Sequence, residues 1–242
     1  MEFQCKEFSL NHSKSSMKIG TDAILLSSLT PTINPKNILD IGTGCGIIAL
    51  CMAQKYSLSQ VTAIDIDYNS ILEACLNFEN SKFSSRLIAK QIDLLSFSKE
   101  TSDKFDLIVS NPPFFISSLK GPSLSRNQAR HTSSLTYENI IHSASKLLSK
   151  KGVLCIILPK KESEIFIEIA NVNSLIIIKK INIYSKSNKE CERVVLHIIL
   201  QQSIEKIIQD KSSKIEASII TLRNFDNTPT KEYLNLIKDF LL

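Results

Sequence analysis

The chain has 242 residues, 43% of them hydrophobic, and a formal net charge of +5. That is enough apolar material to bury a full core, which excludes a disordered chain, and enough length for one α/β domain with small additions. No apolar run reaches the roughly 18 residues of a membrane span, and the start carries neither the basic nor the apolar region of a signal peptide, so a cytoplasmic protein is expected.

Residues 1–17 read as an extended arm, with Phe3 and Cys5 at alternate positions and Phe8 and Leu10 on the other parity. Thr21 is expected to cap a short helix through about Leu29, with Asp22 favourable in its first turn. Pro31 to Lys36 is a linker. The short apolar strand Asn37-Ile38-Leu39 then leads into Asp40-Ile41-Gly42-Thr43-Gly44-Cys45-Gly46, which holds three of the six glycines, and Ile47 to Ala53 predicts a helix. Glycines between a strand and a helix let the backbone turn sharply and let a ligand come close. The spacing Gly-x-Gly-x-Gly is not the dinucleotide fingerprint. Asp40 ahead of it would repel a pyrophosphate but suits a cationic ligand, such as the sulfonium and ammonium groups of S-adenosylmethionine.

A second strand, Val61 to Ile64, ends in Asp65, at a spacing from Asp40 close to that at which such folds place an acid on ribose hydroxyls. A third, Leu87 to Ile92, leads to Asp93, an acceptor suited to an adenine amino group. A fourth, Phe105 to Ser110, leads to Asn111-Pro112-Pro113-Phe114. Strand and helix alternate over residues 37–110, the crossover pattern of a parallel sheet, and such sheets bind ligands beyond the carboxyl ends of their strands. Asp40, Asp65, Asp93 and Asn111 would therefore face one crevice. Each aspartate taken singly also reads as a helix cap or turn residue, and Asp67 most of all.

Two successive prolines stop the fourth strand, since neither donates a backbone hydrogen bond. They leave the Asn111 side-chain oxygen and the Pro112 carbonyl as fixed acceptors beside the ring of Phe114. Acceptors aimed at the two hydrogens of a planar –NH2 group draw its lone pair out of conjugation, and they stabilise the charge that develops on nitrogen. Phe114 is placed to stack on a base, and no general base is needed. The same four residues also read as a strand-ending turn.

From Phe114 to Tyr137 there is no acid, while Lys120, Arg126, Arg130 and His131 are present; Phe8 to Thr21 also lacks acids and carries Lys14 and Lys18. Each stretch alone reads as a solvated loop. Flanking an amine receptor, the two read as a groove for phosphates. Residues 115–136 are expected to form a mobile flap that orders on RNA. Further on, Tyr137 to Ser149 predicts a helix, Val153 to Leu158 a strand, Glu162 to about Val172 a helix, and Leu175–Tyr184 and Arg193–Gln201 two more strands. The six cysteines form no Cys-x-x-Cys pair and read as free thiols, and no histidine stands with acids at ligand spacing, so no metal site is expected.

Asp40 to Gly46, Asp65, Asp93 and Asn111 to Phe114 together resemble the ordered motifs of class I S-adenosylmethionine-dependent amino-methyltransferases. Met17 to Leu26 resembles the N-terminal signature of the bacterial tRNA(Val) adenine-N6 methyltransferases, and Glu232 to Leu241 resembles their C-terminus. The resemblance implies a doubly wound, seven-stranded, mostly parallel α/β sheet over residues 37–242, with residues 1–36 as an N-terminal extension. It implies S-adenosylmethionine as cofactor, with Thr21 in contact and Asp40, Gly42, Thr43 and Gly44 at the methionine part. Asp65 would take the ribose, and Asp93 with the Leu94 amide the adenine. Asn111, also counted among the cofactor contacts, and Pro112 would hold the target amine.

The implied substrate is adenine 37 of a valine tRNA, with the protein acting as a monomer. Ser185 to Lys189 resembles the family's basic hairpin, which adds Lys186 and Lys189 to the RNA contacts, although a plain solvated turn fits those residues equally. A guanine amine in ribosomal RNA or a glutamine amide in a protein would fit the same receptor. An RNA-binding protein on a degenerate methyltransferase fold is the reading from another class. A nicotinamide-dependent oxidoreductase is disfavoured by Asp40 and the glycine spacing.

Overall fold

Runs of branched and apolar residues build the centre of the molecule: β3 (Asn37–Ile41), β4 (Gln60–Asp65), β6 (Phe105–Ser110) and β7 (Leu148–Pro159). Near-continuous burial along β3, β6 and the second half of β7 is the signature of strands covered on both faces. In this computed structural model, which describes residues 2–13, 15, 19–113, 135–203 and 215–241, they join β5 (Leu87–Gln91), β8 (Leu175–Lys186), β9 (Cys191–Leu200) and β10 (Glu216–Arg223) in one sheet. The order is β10-β8-β9-β7-β6-β3-β4-β5. Every neighbouring pair is parallel except the two that involve β9.

Alternation along each strand sorts side chains to two faces. Ile38, Leu107, Val109, Cys155, Ile157, Val195 and Ile199 enter one core with α1 (Thr21–Leu29), α2 (Ile47–Lys55) and α3 (Tyr68–Glu79). Leu39, Ile41, Ile108, Leu154, Ile156 and Leu158 enter the other with α4 (Leu94–Glu100), α5 (Tyr137–Leu147) and α6 (Lys160–Val172). A last helix, α7 (Lys231–Ile237), lies against α1, and Phe240 just beyond it is buried in the first core. Among the described residues no helix is long and apolar enough to cross a membrane, and no group of acids, cysteines and histidines could hold a metal ion.

Three expectations change in detail. Among the described residues the sheet has eight strands rather than seven, because β10 extends it beyond β8. Only Ile220 of β10 is buried, so the strand lacks the apolar alternation that would have announced it. The N-terminal arm is a hairpin, β1 (Glu2–Gln4) and β2 (Ser9–Asn11), in which Phe3 pairs with Leu10 and the Cys5 N–H donates to the Phe8 carbonyl. Thr21 is the first residue of α1 rather than its cap. Gly20 holds the cap position, and Asp22 of the first turn accepts from Arg193 Nε at 2.8 Å.

The carboxyl end of α1 is held by cations and donors from beneath. Lys55 Nζ donates to the carbonyls of Ser27, Ser28 and Thr30, and His197 Nε2, on the β9 face shared with Val195 and Ile199, lies 2.8 Å from the Leu29 carbonyl. Burial pushes the imidazole down to about 4. The fold thus favours neutral His197, and this stabilisation is complete above about pH 6.5, its ordinary value, and is lost as pH falls toward 4. His197→Gln should therefore flatten the loss of stability across that window; urea midpoints that run parallel to the wild type would show that His197 is not the group responsible.

Candidate functional site

The turn between β3 and α2 needs its glycines. Gly42, Gly44 and Gly46 have φ of +72°, +55° and +88°, a region costly for other residues. A Cβ on Gly46 would also lie 2.5 Å from Phe78 Cε1 of α3. The turn is pulled back onto β4: the Gly42 and Thr43 N–H groups donate to the Ile64 carbonyl at 2.9 and 3.1 Å, and the Gly44 N–H donates to Asp65 Oδ2 at 2.9 Å. The loop amides are thereby committed within the chain. The Gly42, Thr43 and Gly44 amides are therefore not free to cradle a phosphate.

Asp40 lies on the face turned to α2 and is fully buried. Its Oδ2 accepts from Thr43 Oγ1 at 2.6 Å and from the Ala49 N–H at 3.1 Å, while Oδ1 is buried with no hydrogen-bond partner among the described residues. Burial raises the carboxyl to about 7 against the pull of these two bonds, and neighbouring Asp65 raises it further. Thr43, expected at the cofactor, braces Asp40 with its hydroxyl.

Asp65 organises the next turn, its Oδ2 on Gly44 and its Oδ1 accepting from the Asp67 N–H at 2.9 Å. Asp67 caps α3 through Ser70, as its position suggested. Asp93 caps α4, accepting from the Ser96 N–H at 3.0 Å; the Ser96 side chain above all, and this backbone bond with it, lowers its carboxyl. Leu94 opens that helix with its side chain buried.

Ser110 Oγ donates to the Ile41 carbonyl at 3.0 Å and stitches the end of β6 to the end of β3. Asn111 follows, its Oδ1 buried without a partner among the described residues, and Pro112 beside it is buried. The registers Ile41↔Ile64, Ile41↔Ser110 and Asp65↔Gln91 set the ends of β3, β4, β5 and β6 on one edge. The chain winds from β3 outward to β5 and returns to place β6 on the other flank of β3, so the sheet edge between the glycine turn and Asn111 is a topological switch point. Asp40, Asp65 and Asn111 follow adjoining strands of that edge, and Asp93 lies farther along it, beyond β5 and three strand positions from Asn111. Leu135 reaches the same place, its Cδ2 3.5 Å from where a Gly42 Cβ would lie.

Lys186 ends β8, half-buried with its Nζ 3.4 Å from the Phe225 carbonyl, and Lys189 is exposed on the turn to β9; both lie on the same sheet edge but are separated from β6 by β7 and β9, about 14 Å of strand spacing. Thr21 is exposed at the start of α1. Phe114, Lys120, Arg126, Arg130 and His131 lie outside the described residues, as do Lys14, Lys18 and nearly all of the expected flap.

Sequence reasoning passed over two residues of α3. Asn77 Nδ2 donates to the Cys45 carbonyl of the glycine turn and to the Asn11 carbonyl, both at 2.8 Å, and its Oδ1 accepts from the Asn11 N–H at 2.9 Å. Glu73, one helical turn earlier, accepts from the Ser13 and Ser15 N–H groups at 2.8 Å each. The available signal was a pair of polar residues at i and i+4, interleaved with Ala74 and Phe78 on the buried face of an amphipathic helix.

Residues 9–184 match the family model described as "Methyltransferase small domain". A tRNA1(Val) (adenine(37)-N6)-methyltransferase of Flavobacterium psychrophilum is 38% identical over 241 residues, covering 99% of each chain. The protein of the same description from Proteus mirabilis is 32% identical, covering 99% of this chain and 93% of its own. Among solved structures, a "predicted O-methyltransferase" of Agrobacterium tumefaciens superimposes with a TM-score of 0.67 at 16% identity, over 90% of this chain and 96% of its own. The ribosomal protein L11 methylase of Lactobacillus delbrueckii gives 0.55 at 20% identity, over 79% and 84%. These two speak for the fold alone, that of the class I methyltransferases, whose methyl donor is S-adenosylmethionine. By its full-length relatives and its family model, the chain belongs to the methyltransferase small domain family, within the group of the tRNA1(Val) (adenine(37)-N6)-methyltransferases.

Proposed function

We propose that the protein methylates the exocyclic N6 amine of adenine 37 in the anticodon loop of a valine tRNA, with S-adenosylmethionine as donor. The observation that carries this reading is a pair of buried acceptors at one switch point that find no partner among the described residues, Asp40 Oδ1 under the glycine turn and Asn111 Oδ1 at the adjoining strand end. Such atoms are costly to bury unless a ligand completes them. Asp40 suits a cationic group and Asn111 suits an amine, which is the pair this reaction needs.

When bound, S-adenosylmethionine supplies an electrophilic methyl group on a sulfonium centre. Asp40 and the carbonyls of Gly42 and Gly44 would hold its methionine part, Asp65 its ribose, and Asp93 with the Leu94 amide its adenine, with Thr21 nearby. Asn111 Oδ1 and the Pro112 carbonyl would accept both hydrogens of the target amine and localise its lone pair. These acceptors are fixed by the Ser110–Ile41 bond and by two prolines, so little reorganisation remains at the moment of transfer. Phe114, next in the chain, would stack on the base. The proton leaves the methylated nitrogen afterwards, without a dedicated base.

An unpaired anticodon-loop base is less costly to extrude than one in a duplex. Lys18, Lys120, Arg126, Arg130, His131, Lys186 and Lys189 would contact RNA phosphates. The protein would act as a monomer in the cytoplasm, with residues 1–36 as an extension of the catalytic unit 37–242.

Incubation with labelled S-adenosylmethionine and total tRNA should place N6-methyladenosine at a single anticodon-loop position. Label found in ribosomal RNA or protein, with none in tRNA, would overturn the substrate. Asn111→Ala should lower kcat by about 10²-fold or more while leaving cofactor affinity nearly unchanged; equal loss of both would contradict the role given to Asn111. A cationic ligand favours ionised Asp40, whose carboxyl is raised to about 7. Below that pH, binding must expel a proton, so cofactor affinity should weaken as pH falls from 8 to 6, by at most about tenfold per unit. Asp40→Asn should bind more weakly and without that slope, as read by calorimetry.

A further inference from the structure

The buried polar groups that the reaction leaves unused are concentrated on α3. Glu73 and Asn77 are each only 3% exposed, on the face that also carries Ala74 and Phe78. Phe78 and Ala74 close on Gly46, as a Cβ there would lie 2.5 Å from Phe78 Cε1 and 3.3 Å from Ala74 Cβ. Asn77 grips the turn one residue earlier, through the Cys45 carbonyl at 2.8 Å. The same amide completes both backbone groups of Asn11, imitating a strand partner for the last residue of β2. Glu73 continues the contact along the chain, taking the N–H groups of Ser13 and Ser15 and the Ser13 hydroxyl at 3.3 Å.

We infer that Glu73 and Asn77 are positioning residues for the methyl donor, fastening the N-terminal segment and the glycine turn to one face of α3 so that the turn keeps its cofactor-binding shape. This rests on the reading of the crevice as a methyltransferase site. Packing alone would be met by apolar residues here, which bury at no hydrogen-bonding risk. A buried carboxylate and a buried carboxamide instead fix direction. Asn77 makes three bonds at set angles, two to the segment and one to the turn, so a shift of either is felt by the other. The turn needs such an outside brace, because its own amides already pull it toward β4 and Asn77 pulls from the opposite end. The bonds of Asn77 and Glu73 described here reach the segment and Cys45 rather than Asn111, so their effect is on the ground-state affinity for the donor and not on the chemical step.

The test is steady-state methylation with varied S-adenosylmethionine, together with calorimetric binding of S-adenosylhomocysteine, for wild type, Asn77→Asp and Glu73→Gln. Asn77→Asp keeps the acceptor for the Asn11 N–H but cannot donate to the Cys45 and Asn11 carbonyls. Glu73→Gln keeps the shape but turns donors against donors. Both should raise the KM for S-adenosylmethionine and the Kd for S-adenosylhomocysteine by about tenfold. Both should keep kcat at saturating donor within about threefold, because the binding of the transition state and of the ground state weakens alike. Unchanged KM and Kd alongside a lower melting temperature or smaller active fraction would reduce the pair to ordinary structural residues and overturn the inference. If one variant fails to fold, the other still decides. A wild type that binds no S-adenosylhomocysteine overturns both this inference and the functional reading, whereas wild-type binding matched by both variants overturns only this one.

Discussion

The attachment of the glycine turn to β4 sets everything else in this molecule. Three successive amides, those of Gly42, Thr43 and Gly44, point into the Ile64 carbonyl and the Asp65 carboxylate, which forces the left-handed backbone that only glycine adopts at low cost. With its donors turned away, the loop cannot act as an anion cradle. The same contact fixes Asp65 and brings the Thr43 hydroxyl onto Asp40. It also leaves Gly46 to start α2 in van der Waals reach of α3. Cofactor class, acid placement and helix packing all descend from one local hydrogen-bond choice.

Electrostatics then divides the labour between two acids of the same type. Asp40 is sealed from water and half-satisfied, so its charge is costly and its carboxyl stands near neutrality. Asp93 sits at a helix start with solvent access, so its carboxyl is held below the usual range by the Ser96 contact. A buried acid of the first kind responds strongly to an arriving cation, and an exposed one of the second kind acts mainly as a fixed acceptor. In the role proposed for it, Asn111 needs no charge at all, since it would only offer an oriented oxygen to a proton-bearing nitrogen.

Much of this was legible in the chain. The apolar runs at β3, β4 and β6 and the clustered glycines marked the parallel strands and the turn between β3 and α2, because burial on both faces and sharp turns leave local compositional marks. What escaped were features settled by tertiary partners. Strand β10 buries only Ile220 and is a strand because β8 offers an edge. The N-terminal arm pairs with itself, a register that alternate apolar residues do not specify. Glu73 and Asn77 look like ordinary helix polar residues until the segment from Asn11 to Ser15 is laid across them. Thr21 was displaced from its cap by Gly20, whose extended backbone fits that position without a side-chain bond.

The single reversed strand, β9, has a consequence for how such a protein can change. Because it runs against β7 and β8, the short turn carrying Lys186 and Lys189 emerges on the working edge of the sheet, although it belongs to the flank farthest from the glycine turn. Its length and charge can therefore vary without disturbing a single core contact of β3, β4 or β6. Evolution can alter the charge that this peripheral loop presents along the edge, while the interior strands next door stay as they are.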